Sequence, residues 1–420
     1  MYRIMIILIV ALMLSTPVLA GEQDSEKDKK QPTEEQIEKL RQAALQEAGK
    51  DQEQEETEAD SFKLRGLSLQ ALNPEFSISG DFINSYRDNP SENEFADFTV
   101  RGLGLHLESY LDPYSRFKAA IHTAPEHAGL EEAYFMRYGV VGGINLTLGK
   151  FRQQFGVVNR WHKHALDWID FPLPLLFIFG DEGLNQTGFA FDWSGSAGGF
   201  SHGLDLQITE GANEHLFAGN SRKRPSILAR YKLFRDLTES TYLELGVTGL
   251  VGWNDAWELP GDVVEDDTRD AEVYGADVTV LWEPTGRMRY RNIEWRSEFY
   301  YLNKNIIAPD GSGPDVLNPW GCYSSLQAKV SRTVEIGTRF DYYEPDAKLY
   351  ATPDLMSPLA VAEADAYRWL VAPYITWWQS PFVKFRLEYE HEDGDYMGVR
   401  EDRVLLQCVF AAGPHKHERY

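Results

Sequence analysis

The chain has 420 residues and a formal net charge of −24, from 41 basic and 65 acidic residues. That acidity excludes a nucleic-acid binder, which presents basic surface to phosphate. A single long apolar run lies at the very start, so no helix is left to hold the mature chain in a bilayer.

Residues 1–20 read as a secretory signal: Arg3 carries the charge, Ile4–Leu14 the apolar stretch, and Val18-Leu19-Ala20 the cleavage pattern. The mature chain is therefore expected to be exported. Residues 21–61 differ from everything after them. Glu22–Asp60 holds fourteen acids against six bases and no aromatic residue, so most of it is expected to lack a core. Within it, Thr33 with Gln36 three residues on opens like a capped helix, and Ile37, Leu40, Ala44 and Leu45 form a short stripe. A trimerising coiled coil and a solvated spacer are both compatible with fewer than three heptads. Phe62–Asn73 is either a linker or a strand entering the wall of the next domain, which is taken to run over residues 62–420.

From about Glu75 onward the chain alternates apolar and polar residues in roughly sixteen runs. Phe76, Ile78 and Phe82 share one parity, with Ser77, Ser79 and Asp81 on the other. In Val383–Tyr389 the charges Lys384, Arg386 and Glu388 fill the face opposite the apolar residues. Runs of this length match strands tilted across a bilayer. Their connections alternate short and long: Gly139–Gly143, Gly195–Ser201 and Arg235–Glu239 are short, whereas Gln154–Asn185, Asn254–Asp270 and Glu344–Glu363 are long. That rhythm predicts an all-β fold, a transmembrane antiparallel up-and-down barrel of about 16 strands with both ends on the short-turn side. The short-turn side is the periplasm in bacterial barrels. Aromatic residues near run ends, including Tyr110, Trp282 and Tyr343, are expected to form interfacial girdles. Cys322 and Cys408 fall in the twelfth and sixteenth runs, which are not neighbours, so no disulfide is expected.

The connection after the fifth run is unusual. It carries Arg160-Trp161-His162-Lys163-His164, then Asp167 and Asp170, then the apolar stretch Phe171–Phe179, and closes with Gly180-Asp181-Glu182-Gly183-Leu184-Asn185. So much apolar surface is not left in water, so the loop either folds into the lumen or packs over the mouth. Charges on the strands belong in the lumen, because each costs a few kcal/mol against lipid near the midplane. The expected constriction sets Lys150, Arg152, Arg160, Arg291, Arg296, Arg339 and Arg386 against Asp167, Asp170, Asp181 and Glu182. Two histidines beside two aspartates also offer zinc-type donors, with His162 and His164 as the ligands if the backbone there is extended. No serine elbow, zinc-protease motif or phosphate-cradling glycine loop occurs, so the chain does not read as an enzyme.

The stretch Leu146-Thr147-Leu148-Gly149-Lys150-Phe151, continuing to Phe155-Gly156, resembles a strand of the phosphate-selective-type porins and related Gram-negative outer-membrane barrels. The run Asn159, His162, His164, Asp170, Pro172 and Gly180–Asn185 is similar to a loop of many uncharacterised barrels, some of them linked to zinc regulation or receptor-type uptake. The resemblance implies a sixteen-stranded, trimeric, substrate-permeable barrel in the outer membrane. Its mixed lumen charge provides no arginine ladder for phosphate, and no plug domain is expected ahead of the barrel. The leading expectation is a porin-like channel for small hydrophilic solutes or ions, with lipid and a homotrimer as its partners and no cofactor. A zinc or anion uptake barrel and a closed structural barrel are the alternatives.

Overall fold

A computed structural model describes residues 74–88, 96–125, 127–217, 224–254, 269–286, 290–307, 314–346, 366–396 and 399–413. The signal, the acidic segment with its short helix, and Phe62–Asn73 lie outside the described residues.

The chain runs through β1 (Glu75–Asp88), β2 (Ala96–Asp112), β3 (Ser115–Ala124), β4 (His127–Val141) and β5 (Ile144–Arg152). After a long connection come β6 (Asn185–Ala197), β7 (Phe200–Thr209), β8 (Ser226–Thr238), β9 (Thr241–Asn254), β10 (Arg269–Trp282) and β11 (Asn292–Ile307). The series ends with β12 (Pro314–Leu317), β13 (Trp320–Lys329), β14 (Val334–Glu344), β15 (Arg368–Ser380), β16 (Val383–Gly394) and β17 (Val399–Ala412). Each pairs antiparallel with its neighbour, and β1 pairs with β17, closing the sheet. Strands β12 and β13 both pair with β11 in one continuous register, Lys304 opposite Leu317 and Tyr301 opposite Trp320. They are one stave interrupted at Asn318-Pro319, where proline supplies no ladder N–H. The seventeen segments therefore make sixteen staves, as the alternation predicts.

The side-chain period of two sorts the residues inside out. In β16, Lys384, Arg386, Glu388, Glu390 and Glu392 are buried, while Tyr389 on the other parity is exposed. In β1, Ser77, Ser79 and Asp81 are buried, whereas Phe76, Ile78 and Phe82 are exposed. Exposed apolar residues beside buried charges are what a wall between hydrocarbon and a polar lumen requires. Trp282 and Tyr110 are exposed as girdle residues should be. Tyr343 is not: it is buried in the lumen, stacked on Phe177 with ring centroids 4.7 Å apart. Cys322 and Cys408 are free thiols on β13 and β17, which do not pair.

Register Ile78 opposite Ala412 places the first and last strand ends together, at the end of the barrel that carries the short turns. The opposite end is less regular than the predicted rhythm. Residues 125–126 between β3 and β4, and 395–398 between β16 and β17, are short connections where a strict alternation calls for long ones. Long connections are confined to the sector from β5 round to β15, with residues 153–184, 210–225, 255–268 and 345–367.

Besides register shifts beside the short turns, two β-bulges break the alternation further along the strands. Opposite Asp81 and Phe82 the second strand inserts Arg101, and opposite Ala120 and Ile121 the fourth inserts Glu131. On β2 the exposed parity passes from Phe98 and Val100 to Leu103 and Leu105 across the bulge. An extra residue of this kind turns two consecutive side chains toward one face. Here the face is the lumen, where Arg101 meets Asp81, and where Glu131 and Glu132 stand side by side.

The sorting has a direct consequence for stability. Leu105 is exposed near the middle of β2, so Leu105→Arg puts a charge in hydrocarbon and should cost about 2–4 kcal/mol. Urea titration of refolding in bilayers is the check; a loss below about 0.5 kcal/mol contradicts the assignment of this face to lipid.

Candidate functional site

The long connection after β5, residues 153–184, lies in the lumen. Its sequence builds three compact turns. Val158–Arg160 and Lys163–Ala165 are single 3-10 turns. Helix α1 (Leu173–Phe179) starts after Pro172 with Pro174 in its first turn, where a missing N–H costs nothing. It ends at Gly180, with φ +84°, whose N–H donates to the Leu176 carbonyl at 2.8 Å. Phe155, Trp168, Phe171, Leu175 and Phe179 are buried against wall residues of β8 to β15, Tyr300, Tyr323 and Tyr343 among them. This cluster inside the bore is the main apolar core of the described residues, and it resolves the choice between lumen and mouth in favour of the lumen.

The polar wall takes hold of the loop's main chain. On β11, Glu298 Oε1 accepts the N–H groups of Val157 and Val158 at 3.0 Å each and the Tyr323 hydroxyl at 2.7 Å. Its Oε2 accepts the Tyr300 hydroxyl at 2.7 Å. Gly156 precedes this contact with φ +59°, and a Cβ there would run into the Glu298 carboxylate. On β14, Asp341 accepts from Leu173 N–H at 3.1 Å, and Arg339 donates to the Asp170 carbonyl at 2.7 Å. On β16, Glu388 accepts from Ile169 N–H at 3.0 Å, while Arg386 and Lys384 donate to the Leu166 carbonyl at 3.0 and 3.3 Å. On β7, Gln207 accepts the N–H of Gln154 at 3.1 Å. With β12 and β13 counted as one stave, β7 and β16 stand eight staves apart among sixteen, so the loop braces opposite walls.

The side facing β2 to β4 is built differently. Both ring nitrogens of His162 are engaged, Nδ1 lying 2.9 Å from Glu131 and Nε2 2.9 Å from Glu132. Lys118 pairs with Glu132 at 3.1 Å and Arg152 with Glu131 at 2.5 Å. His106 from β2 joins His162 and His164, all three rings 5.5 Å from one another. Burial opposes a charge on His162, but Glu131 and then Glu132 outweigh it and hold its pKa above the ordinary histidine value.

Most of the residues singled out from sequence meet here. Arg152, Arg296, Arg339 and Arg386 are buried wall residues touching the loop, and Arg296 pairs with Asp167 at 3.3 Å and lies 4.4 Å over the Trp161 ring. Arg160 donates to Gln154 at 3.4 Å, and burial beside Arg230 lowers its basicity. Asp170 pairs with Arg101 at 3.0 Å. Asp181 and Glu182 are exposed at the loop's exit, where the Glu182 carbonyl accepts from Arg152 at 3.0 Å. Two residues are corrections. Lys150 stands on the outer parity of β5, opposite Ala133 and Thr187, with its ammonium on the Leu130 carbonyl at 2.7 Å. Arg291 is exposed in the connection just before β11, at the short-turn end and away from the loop. His162 and His164 do come together, but His162 spends its nitrogens on glutamates. Among the described residues no group of three or more His, Cys, Asp or Glu side chains is arranged to hold a metal ion.

Arg101, Glu131 and Glu132 were not legible as loop partners, because each bulge shifts the parity from which facing is read. The apolar sequence did carry a trace: Phe98 and Val100 are even-numbered, Leu103 and Leu105 odd-numbered.

No family model matches the chain. A protein of unknown role from Aquifex aeolicus is 24% identical over 263 residues, 59% of this chain and 55% of that protein, so the match spans little more than half of that relative. Among solved structures, the anion-selective porin of Comamonas acidovorans superposes with a TM-score of 0.52 at 9% identity, over 81% of this chain and 100% of that one. The outer-membrane channel DcaP of Acinetobacter baumannii gives 0.51 at 13% identity, over 81% and 96%. Identities this low speak for fold alone. The chain folds as a closed sixteen-stave antiparallel barrel, similar in fold to these outer-membrane porins.

Two outcomes follow for the loop. Glu298→Gln replaces an acceptor with an N–H donor facing donors, and should weaken the loop's seat by about 1–3 kcal/mol, read as faster proteolysis within residues 153–184 while the barrel stays intact. For His162 the folded pKa is the raised one, so its contribution is complete below the ordinary histidine range and is lost as pH climbs through the raised value. Cleavage after Lys163 should therefore accelerate as pH rises above the ordinary histidine range; a flat profile contradicts a charged His162.

Proposed function

We propose that the protein is a passive outer-membrane channel for small hydrophilic solutes or ions, narrowed by the loop 153–184. One observation carries this reading. In a loop whose other residues from Phe155 to Phe179 are mostly buried, the Asp170 side chain keeps 40% of its surface exposed, facing Arg101 at 16%. A wet, oppositely charged pair between loop and wall has the form of an aperture, where a transverse field orders water and screens solutes by size and dipole. From there toward the long-loop end, Arg403 pairs with Glu390 at 2.6 Å and Arg368 with Glu392, continuing a polar lane along β15 to β17. Neighbours of the same fold are described as an anion-selective porin and an outer-membrane channel, which agrees with this class. Assembly as a trimer and a periplasmic acidic segment belong to the same reading.

Planar-bilayer recording of the refolded protein tests it. Discrete ion-carrying steps are expected, and Asp170→Asn should shift the cation-to-anion permeability ratio toward anions by about two-fold. Silent bilayers would favour the second reading, a closed structural barrel. That alternative draws on the loop's contacts with opposite walls and on the full burial of Arg230, Arg339 and Glu388.

A further inference from the structure

The loop is not held equally on its two sides. Toward β8 to β15 it is fixed by apolar packing, with Phe155 stacked on Tyr300 at 5.7 Å, Trp168 edge-on to Tyr323 at 5.5 Å and Phe177 stacked on Tyr343. Such packing is spread over many contacts and survives small displacements. Toward β2 to β4 the contact is polar instead. Besides the contacts of Arg101 with Ile169 and Asp170, the loop meets that wall through His162, set between two carboxylates that a bulge delivers to the same face, with His106 and His164 against its ring. A buried ion-paired contact is directional: it holds while its partners are complete, and removing one charge leaves the other desolvated and unfavourable. Around it stand Lys118 on β3, Arg152 on β5, and Ser79 on β1, 3.3 Å from His106.

We infer that the Glu131–His162–Glu132 clamp is a latch, and that its release lets the Arg160–Ala165 turn draw away from β2 to β4 while α1 and the stretches held by Glu298, Lys384, Arg386 and Glu388 stay seated. The hinge chemistry is in place. Gly156, with φ +59°, lies just ahead of the segment that carries the clamp. Release opens a second passage on the side of the clamp, rimmed by Glu131, Glu132, Lys118 and Arg152, in addition to the Asp170 aperture of the latched form. The wall residues of the clamp are positioning residues: they act on the solute path through the loop. This inference rests on the channel reading for its functional consequence, but the movement itself is measurable without conduction.

The test uses the full-length protein with Cys322→Ser and Cys408→Ser, and Ala165→Cys as a reporter, because Ala165 is buried in the turn beside His164. Glu131→Gln with Glu132→Gln removes both charges of the clamp at nearly constant volume. A membrane-impermeant maleimide should label residue 165 about ten-fold faster in that variant than in its parent, and single-channel steps should grow by about two-fold. Unchanged labelling overturns the latch, whatever the bilayer shows. Faster labelling with unchanged steps overturns the second passage and leaves the loop movement. If the parent carries no current at all, the channel reading fails and labelling alone decides the latch. Should the double variant not give a heat-modifiable barrel, His162→Asn takes its place, since it keeps one hydrogen bond and lacks the charge. Faster labelling of residue 165 in that variant supports the latch, and unchanged labelling overturns it.

Discussion

The buried charged side chains on the inner parity of β11, β14 and β16 need partners, and the loop's main chain supplies several of them. Glu298, Asp341 and Glu388 accept main-chain N–H groups from the loop, and Arg339, Arg386 and Lys384 donate to its carbonyls. A loop without regular structure would otherwise carry unmet peptide groups into a confined space, at a cost of several kcal/mol each in the absence of water. Wall and loop thus solve each other's problem.

The apolar core follows the same logic in an inverted barrel. Outward residues such as Phe98 and Ile78 face lipid, so they contribute nothing to holding the inside together. What packs is the set Phe155, Trp168, Phe171, Leu175 and Phe179 against inward tyrosines. Those tyrosines serve twice, since Tyr300 and Tyr323 also donate their hydroxyls to Glu298 and so join the apolar seat to the polar anchor. Tyr343 belongs to this set, which is why it is absent from the girdle its position near a strand end had suggested.

The bore is left asymmetric. One side of the loop is packed against β8 to β15, the opposite side is clamped by His162, and the wet pair Asp170 and Arg101 lies toward the closure seam of β17, β1 and β2. The long connections join staves from β5 round to β15, whereas residues 125–126 and 395–398 are short connections near the seam. The aperture proposed at Asp170 and Arg101 therefore lies on the side of the barrel where connections are short.

Barrel class, stave number, the facing of most charges and the special status of residues 153–184 were readable from the chain, because a two-residue period and the alternation of connections are local properties. Arg296, Arg339 and Arg386 were assigned to the lumen on that basis and lie there. Lys150 and Arg291 were assigned there too and do not lie there: Lys150 keeps the outer parity of Leu146 and Leu148, and Arg291 sits beyond the ladder altogether. Nothing local says which loop residue will meet which stave: Glu298 lies 141 positions from Val157 and Glu388 219 from Ile169. Those pairings, and the bulges that turn Arg101 and Glu131 inward, depend on register between neighbouring strands and on closure of the ring. Only the folded barrel brings them within hydrogen-bond reach.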